Sequence, residues 1–320
     1  MKKSINSMQI VGTLKEINLS REGVQTRQIG FSDKKTVQCN RISKTEFKNP
    51  AFTIEVNGNI VEVDVSWGVD EKTVDKDGNV IDNPKYKTLE TVLANYECGS
   101  TRVKVDGAIA ANEYVTIEGE YKTLAPKVEL FTITHNNVPD EDYAEGSISG
   151  IIAQRRDEYV NEEETGRKFL RLWAYDYKGS TFPVDLVIPA DIVNDFDNIY
   201  ETNSQAKLDV EIVTVQHGAK TTTTTGFGRK SKRTAGYTTT EFHVIGGDEP
   251  FDEESEYFIT PDEVRAANEE REVMIEKRIA KRLEKGTNST NTISGSAVAS
   301  SNPFASSNPF GDTKGIELPF

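Results

Sequence analysis

A segment near residue 230 gathers cations and aromatic rings in a chain that is otherwise rich in acids. Residues 218–240 contain no Asp or Glu, while five bases and two rings lie among them: Lys220, Arg229, Lys230, Lys232, Arg233, Phe227 and Tyr237. Cationic side chains neutralise phosphates, and aromatic rings stack on unpaired bases at about 1–3 kcal/mol each. The segment therefore predicts contacts with a single-stranded nucleic acid. The alternative is a solvated hairpin tip whose lysines maintain solubility.

Residues 167–177 form a second group with the chemistry of base stacking. With the two-residue period of a strand, one face carries Lys168, Leu170, Leu172 and Ala174, and the other carries Phe169, Arg171, Trp173, Tyr175 and Tyr177. The aliphatic face suits a barrel core, which leaves the rings outside as a platform, with Arg171, Trp173 and Tyr175 as its predicted contacts. The alternative, with the rings in the core, would place two leucines in water.

A third group of cations lies between residues 21 and 48, where seven bases stand against three acids. The predicted phosphate contacts in this insertion are Arg27, Lys34, Lys35 and Arg41. The hairpin that follows presents the acids Glu55, Glu62 and Asp64, which repel phosphate. We therefore expect the first half of the chain to bind nucleic acid weakly or through its loops.

Signatures of catalysis and of metal binding are missing from the sequence. There is no GxxxxGK[ST], GxSxG or HExxH pattern, and Cys39, Cys98 and the three histidines are isolated. A structural zinc site needs about four soft ligands, usually in close pairs. We therefore predict no enzyme activity, no metal and no cofactor, although acids that are distant in sequence do not exclude a nuclease. The cysteines are typical of reduced thiols in a cytosolic protein.

The net charge of −14 is distributed unevenly over the 320 residues. Residues 248–320 hold fifteen acids and eight bases, a balance of −7 that is half of the total. The bases of the remaining sequence are clustered, and the local field matters more than the sum. Since no long apolar run exists and none follows Met1, we predict no membrane span, no signal peptide and a cytoplasmic location.

Apolar alternation predicts two β-rich blocks. The first has strands at 8–14, 52–67 (a hairpin turning at Asn57-Gly58-Asn59), 101–106, 114–121 and 128–134, a helix at 87–94, and insertions at 21–50 and 68–88. The second has strands at 146–152, 167–177, 181–187, 207–216 and 238–245, with a helix at 190–200. Three strands, a helix and two strands is the order of an OB-fold barrel.

The fold class is therefore predicted to be mainly β, with two tandem OB-fold-like β-barrels, then one C-terminal helix and a disordered tail. The predicted divisions are a first barrel at 1–138, an acidic linker at 139–145, a second barrel at 146–247, an acidic segment with a helix at 248–286, and a tail at 287–320. Thr260, Pro261 and Glu263 predict the start of the helix, and Gly286 its end.

The tail is dominated by Ser, Asn, Thr, Ala and Gly, so it cannot bury enough apolar area to offset its ordering entropy. It closes with Glu317, Leu318, Pro319 and Phe320. A partner pocket could take the Phe320 ring while a basic rim takes Glu317 and the terminal carboxylate. The alternative is a frayed terminus with a chance aromatic residue.

Together these features resemble the single-stranded DNA-binding proteins of bacteria and their phages. Members of that family pair OB-folds with a disordered tail that ends in acids followed by Ile-Pro-Phe, and Leu318-Pro319-Phe320 is similar to that ending. The resemblance implies that Pro319 and Phe320 contact replication and repair enzymes. The usual run of aspartates is reduced here to Asp312 and Glu317, and a chain with two barrels is more similar to the divergent proteins of large phages.

The sequence thus predicts a non-enzymatic, sequence-tolerant protein that coats and protects single-stranded DNA in replication or recombination and recruits partners through its tip. RNA is an alternative ligand, because stacking and phosphate contacts do not distinguish the sugars. A structural or adaptor β-barrel protein of a phage particle, without affinity for nucleic acid, is the main alternative function. A strand-annealing factor is another, and the oligomeric state is left open.

Overall fold

The computed structural model describes residues 4–30, 34–46, 49–65, 68–160, 162–175, 181–217, 221–222, 232–233 and 237–289. The predicted tail therefore lies outside the described residues beyond Ser289, together with the Glu317–Phe320 tip.

Among the described residues up to Thr134, the chain forms ten strands and one helix. They are β1 (Asn6–Ile17), β2 (Leu19–Ile29), β3 (Lys35–Lys44), β4 (Phe52–Val56), β5 (Asn59–Asp64), β6 (Gly68–Asp70), β7 (Lys72–Val74), β8 (Val80–Asp82), α1 (Pro84–Ala94), β9 (Arg102–Val115) and β10 (Tyr121–Thr134). The second part contains β11 (Tyr143–Val160), β12 (Glu163–Tyr175), β13 (Thr181–Ile188), α2 (Val193–Ile199), β14 (Gln205–His217), β15 (Thr221–Thr222), β16 (Lys232–Arg233), β17 (Tyr237–Gly247) and α3 (Pro261–Ser289).

Each part closes a five-stranded barrel with the strand order of an OB-fold. In the first, β1 pairs with β4, β4 with β5, β5 with β10 in parallel, β10 with β9, and β9 with β1. In the second, β11, β12, β13, β17 and β14 follow in the same order, and β13 and β17 are the parallel pair. Each barrel has its helix between the third and fourth barrel strands. The predicted fold class is confirmed.

Apolar side chains alternate with polar ones along the strands and form the core, as the sequence predicts. Ile54 and Val61 in the first barrel, and Leu172 and Leu208 in the second, belong to one continuous cluster of buried apolar residues. The β4–β5 hairpin turns at Asn57 and Gly58, whose φ angles of 49° and 80° suit the tight turn predicted there.

The predicted strand at 114–121 is wrong, because those residues form the tip of the β9–β10 hairpin. β9 extends through residues 107–113 as far as Val115, and the chain turns between Thr116 and Glu120 with Gly119 at a φ of 86°. Glycine and alanine are poor strand formers, so residues 107–113 gave a weak strand signal. Gly107 is required here because a Cβ would lie 2.6 Å from the Glu129 carbonyl oxygen.

The two barrels are joined edge to edge through their first strands. β1 and β11 pair antiparallel from Asn6 opposite Ile148 to Val11 opposite Tyr143. Part of the predicted acidic linker is therefore strand. Gly146 permits this junction, because a Cβ there would overlap the Ser7 carbonyl oxygen.

Helix α3 begins with the predicted capping box. The Glu263 carboxylate accepts hydrogen bonds from the Thr260 N–H at 2.8 Å and from its hydroxyl at 2.9 Å, and the hydroxyl accepts the Glu263 N–H at 3.3 Å. The helix continues past Gly286, where an end was predicted, since a single helical glycine costs only about 1 kcal/mol. Among the described helices, none combines the length and the apolar composition that crossing a membrane requires.

Candidate nucleic-acid interface

Strand β12 divides its side chains between the barrel core and an outer face, as predicted. Leu170, Leu172 and Ala174 belong to the main core. Phe169 and Trp173 therefore lie on the opposite face of the strand, which faces away from the barrel interior. An OB-fold binds oligonucleotides on the face of its second and third strands, which are β12 and β13 here.

The outer face is not the open platform that the sequence predicts. Trp173 and Tyr175 are only 6% and 7% exposed. Tyr175 packs in a cluster with Ile259 and Val264, at the start of α3. The Arg271 guanidinium carbon of α3 lies 5.6 Å from the centroid of the Trp173 ring. The expectation of exposed rings is corrected because α3 covers this end of the face.

Arg171 occupies the middle of the face and is also buried. Its Nε lies 2.7 Å from Asp185 Oδ1, its Nη2 lies 2.9 Å from Oδ2, and its side chain is 1% exposed. Asp185 stands directly opposite Arg171 in β13. The predicted phosphate contact at Arg171 is therefore corrected, since its charge is used to neutralise Asp185.

The other end of the face remains partly open. Arg156 of β11 stands opposite Phe169 in register, and its guanidinium carbon lies 5.6 Å from the centroid of the Phe169 ring. Arg156 is exposed and Phe169 is half-buried. The sequence showed Phe169 among the outward rings, but Arg156 was missed because its placement depends on the β11–β12 register.

An acid of the neighbouring strand β17 is neutralised within the protein. Glu241 of β17 accepts one hydrogen bond from Arg167 Nη2 at 2.5 Å, and its Oε2 lies 2.8 Å from His243 Nε2. Burial raises the pKa of Glu241, but the bonds from His243 and Arg167 outweigh burial and hold the pKa below its ordinary value. Glu241 is therefore a weaker source of repulsion toward phosphate than a free carboxylate.

The acid-free segment extends the β14–β17 hairpin at the other end of the face. The ladder reaches His217 opposite Tyr237, and beyond it Thr221 pairs with Arg233 and Thr222 with Lys232. Lys220, Phe227, Arg229 and Lys230 lie outside the described residues, and only the backbone is described for Lys232, Arg233 and Tyr237.

The position of this hairpin follows from the strand directions. β13 and β17 run parallel, with Val187 beside His243, so both strands begin at the same end of the barrel. β13 begins at Thr181, opposite Tyr175. The acid-free segment 218–240, called the basic hairpin from here on, therefore leaves the barrel at the Tyr175 end. The Arg156–Phe169 pair lies at the opposite end of the same face.

The predicted cations of the first barrel are mostly used within that barrel. Arg27 Nη2 lies 2.6 Å from Glu22 Oε2, and Arg27 and Arg41 both approach Asp70, at 3.4 Å and 3.6 Å. Lys35 donates a hydrogen bond to the Gly78 carbonyl, while Lys34 is exposed. The insertion is a long β2–β3 hairpin held by ion pairs, so the expectation of a cationic surface around Arg27 and Arg41 is corrected.

A cavity of about 340 Å³ lies beside the β11–β12 hairpin and is lined by Arg155, Arg156, Asp157, Lys168 and Asp197. Asp197 accepts hydrogen bonds from Arg155 at 2.7 Å and from Lys168 at 2.6 Å. These contacts neutralise two of its cations, which weakens it as an anion site. Within the described ranges, no group of His, Cys, Asp and Glu is arranged to hold a metal ion.

Comparisons with known proteins give one family match and several structural likenesses. A family model described as YorF matches residues 4–281. No curated protein matches the chain significantly. The wild-type single-stranded DNA-binding protein from Thermus aquaticus is similar in structure, with 9% identity and a TM-score of 0.43 over 79% of this chain and 96% of that chain. A deletion mutant of the same protein has 9% identity and a TM-score of 0.42 over 81% and 98%.

Proposed function

We propose that this chain, which belongs to the YorF family, binds single-stranded DNA without sequence preference on the outer face of β12 and β13. The observation that carries the proposal is the placement of an aromatic–arginine pair, Arg156 and Phe169, at one end of this face. The acid-free hairpin leaves the barrel at the other end of the same face. These two ends correspond to the hairpins that flank the ligand in an OB-fold.

The mechanism uses stacking and phosphate neutralisation. A base stacks on the half-buried Phe169 ring, while the Arg156 guanidinium supports the stack and attracts the backbone. The bases of the 218–240 hairpin neutralise phosphates farther along the strand. Every base has a π-face and every nucleotide a phosphate, so this recognition tolerates any sequence.

The same binding would coat and protect unpaired DNA during replication or recombination. The proposal assigns the chain no catalytic step and no cofactor. It also assigns a second contact, with replication or recombination proteins, to the tip Glu317-Leu318-Pro319-Phe320. The chemistry there is an aromatic ring and a carboxylate on a Ser- and Asn-rich tether, which suits a small apolar pocket with a basic rim.

The direct test is a fluorescence-anisotropy titration of labelled oligo-dT with the full chain at several salt concentrations. We expect binding at low salt that weakens as salt rises. Phe169→Ala should weaken binding at least about fivefold, from the energy of one stacked base. Phe131→Ala is the matched control, because Phe131 is an exposed ring of the first barrel, 42% exposed, and its loss should leave the affinity unchanged.

Absence of binding at low salt, or equal effects of the two phenylalanine variants, would contradict the proposed site. A complete lack of affinity for DNA combined with a defined large oligomer in light scattering would favour the structural alternative. Oligo-U and duplex DNA as second and third ligands establish whether the chain distinguishes RNA and paired strands.

The basic hairpin is tested separately by its salt response. The triple variant Arg229→Gln, Lys230→Gln, Lys232→Gln removes three cations and should reduce the slope of log affinity against log salt by about 2. An unchanged slope would exclude the hairpin from the interface.

The tip is tested with Phe320→Ala, which should leave the affinity for oligo-dT unchanged. The same change should abolish binding of a purified replication or recombination enzyme to the immobilised chain. Equal binding of that enzyme to both forms would contradict a role for the tip.

A further inference from the structure

Helix α3 lies on the part of the outer face that has the best chemistry for stacking. Trp173 and Tyr175 follow Phe169 along the same side of β12, toward the basic hairpin. α3 covers both rings, with Val264 beside Tyr175, next to Ile259 of the preceding segment, and with Arg271 over Trp173. A strand of DNA that continued from Phe169 toward the hairpin would therefore meet the helix.

The contact beneath α3 leaves polar groups unsatisfied. Trp173 Nε1, the Tyr175 hydroxyl and Asn268 Nδ2 are buried and find no hydrogen-bond partner among the described residues. Burial raises the pKa of Tyr175 above its ordinary value, with a smaller contribution from the charge of Glu263. Permanent cores satisfy nearly all such groups, so this contact has the character of a surface that also exists uncovered.

The helix is attached by few apolar groups. Val264 is fully buried, whereas Val273, Met274 and Leu283 are 46%, 40% and 45% exposed. Ala267 packs against the same apolar cluster as Val264, and the remaining attachments are polar, including the buried pair of Arg271 with Glu113 of the first barrel. Thr181 Oγ1 donates to Asn268 Oδ1 at 2.6 Å, and Arg271 Nη2 donates to the Tyr121 hydroxyl of the first barrel at 3.0 Å. Such contacts can be exchanged for water.

The helix can leave as an intact unit. Its capping box, Thr260 and Glu263, is internal to the helix and needs no contact with the barrel. The segment just before it is held to the second barrel, since the Gln205 side chain bonds the N–H of Ile259 at 2.8 Å and its carbonyl at 2.5 Å. Movement would therefore pivot near Thr260.

Charge makes the docked helix incompatible with a bound phosphate chain. Residues 261–276 of α3 carry six acids, Asp262, Glu263, Glu269, Glu270, Glu272 and Glu276. Arg271 already stacks on Trp173 as a base would, and its charge is shared with Glu113 of the first barrel. DNA and α3 thus compete for one surface.

We propose that α3 is a displaceable cover over a second stacking surface, formed by Trp173 and Tyr175, and that single-stranded DNA and the docked helix bind this surface in competition. The inference rests on the proposed function. It extends the interface along the whole of β12 and makes the affinity for DNA depend on how firmly the helix is docked.

The first part of the test compares two variants of the full chain, one that weakens the docking of α3 on the barrel and one that leaves the docking unchanged. Val264→Asp places a charge in the buried contact and should raise the affinity for oligo-dT at least threefold. Val273→Asp makes the same change at an exposed position of the same helix and should leave the affinity unchanged. The chain has two tryptophans, and the background change Trp67→Phe leaves Trp173 as the single fluorescent indole. Without DNA, acrylamide should quench the fluorescence of Trp173 more strongly in Val264→Asp than in the parent protein. Val273→Asp should leave this quenching unchanged.

The second arm locks the cover. Thr181→Cys and Asn268→Cys, in a Cys98→Ser background, replace two side chains in hydrogen-bond contact, and a short thiol-reactive crosslinker then joins β13 to α3. Crosslinking should weaken binding of oligo-dT at least tenfold relative to the same protein before crosslinking. Phe169→Ala should weaken the residual binding at least about fivefold further.

The outcomes separate the two proposals. Equal affinity before and after crosslinking, with DNA bound in both states, would overturn the cover and leave the proposed function intact. Unchanged affinity in Val264→Asp despite increased acrylamide quenching would also overturn the cover. No binding of oligo-dT by any variant, the uncovered one included, would reject the proposed function and this inference with it.

Discussion

Arg171 and Asp185 form a two-point ion pair across β12 and β13, with Nε–Oδ1 and Nη2–Oδ2 distances of 2.7 Å and 2.9 Å. The guanidinium side chain is 1% exposed, while the carboxylate side chain is 23% exposed. A buried charge of this kind depends on its partner, because its hydration has been lost. The pair therefore fixes the third strand of the barrel against the second, directly under the proposed interface.

Asp185→Ala should destabilise the protein by about 3–5 kcal/mol, because the buried Arg171 would lose the carboxylate that it contacts at two points. Urea unfolding at pH 7 measures the change. Asp262→Ala is the control, since Asp262 pairs with Arg265 on the exposed surface of α3 and should contribute less than about 1 kcal/mol. A similar loss in both variants would contradict the assignment of Arg171 as a structural cation.

Glu241 should make stability depend on acid pH. Burial opposes its charge, but hydrogen bonds from His243 and Arg167 hold its pKa below the ordinary value. A carboxyl with a depressed folded-state pKa stabilises the fold at pH values above its unfolded pKa of about 4.3, and the contribution is lost as pH falls through the folded value. We expect Glu241→Gln to be less stable than the wild type at pH 7, with a difference that shrinks below about pH 4.

The measurement for Glu241 is the free energy of unfolding between pH 3 and pH 7 in urea. Glu253→Gln serves as the control, because Glu253 is an exposed carboxylate in the acidic segment. A constant difference between Glu241→Gln and the wild type across this range would contradict the expected linkage.

Gly58 should be more sensitive to substitution than Gly23, although both have open space around them. No heavy atom lies within 4 Å of a Cβ built at either position, but Gly58 has a φ of +80°. Gly58→Ala should therefore cost about 1–2 kcal/mol through backbone strain alone. Gly23→Ala should be neutral or slightly stabilising, because alanine restricts the unfolded chain. Thermal unfolding of both variants checks the prediction, and equal melting temperatures would contradict it.

Gly146 should be required for the junction between the barrels. A Cβ there would overlap the Ser7 carbonyl oxygen and the Met8 sulfur, so Gly146→Ala should destabilise the protein by about 1–3 kcal/mol. Hydrogen exchange should increase along Asn6–Val11 and Tyr143–Ile148, the paired segments. Gly246→Ala is the control, because the nearest atom to its Cβ is Asp209 Oδ2 at 4.0 Å. Unchanged exchange in the paired segments would contradict the assignment.

The strand order could be predicted because its signals are local. Apolar alternation marks one face of each strand, and Asn57-Gly58 specifies a tight hairpin turn in any context. Residues 107–113 were missed because Gly107 and its alanine neighbours are in a strand only through pairing with β10, which is a tertiary effect.

The site was harder to predict because it depends on contacts between distant segments. The alternation correctly placed Trp173 on the outer side of β12, but nothing in residues 167–177 shows that Val264 and Arg271 lie over it. The pairing of Arg171 with Asp185 and the stacking of Arg156 on Phe169 depend on strand register, which a composition pattern does not specify.

The junction of β1 with β11 has a consequence for the behaviour of the chain at high concentration. An unpaired strand edge is a template on which another molecule can add a strand, which leads to aggregation or strand exchange. Here β1 of the first barrel and β11 of the second barrel pair with each other over Asn6–Val11 and Tyr143–Ile148, so each covers the edge of the other. The pairing of the two barrels is therefore self-limiting, and the chain can reach a high concentration without polymerising through its first strands.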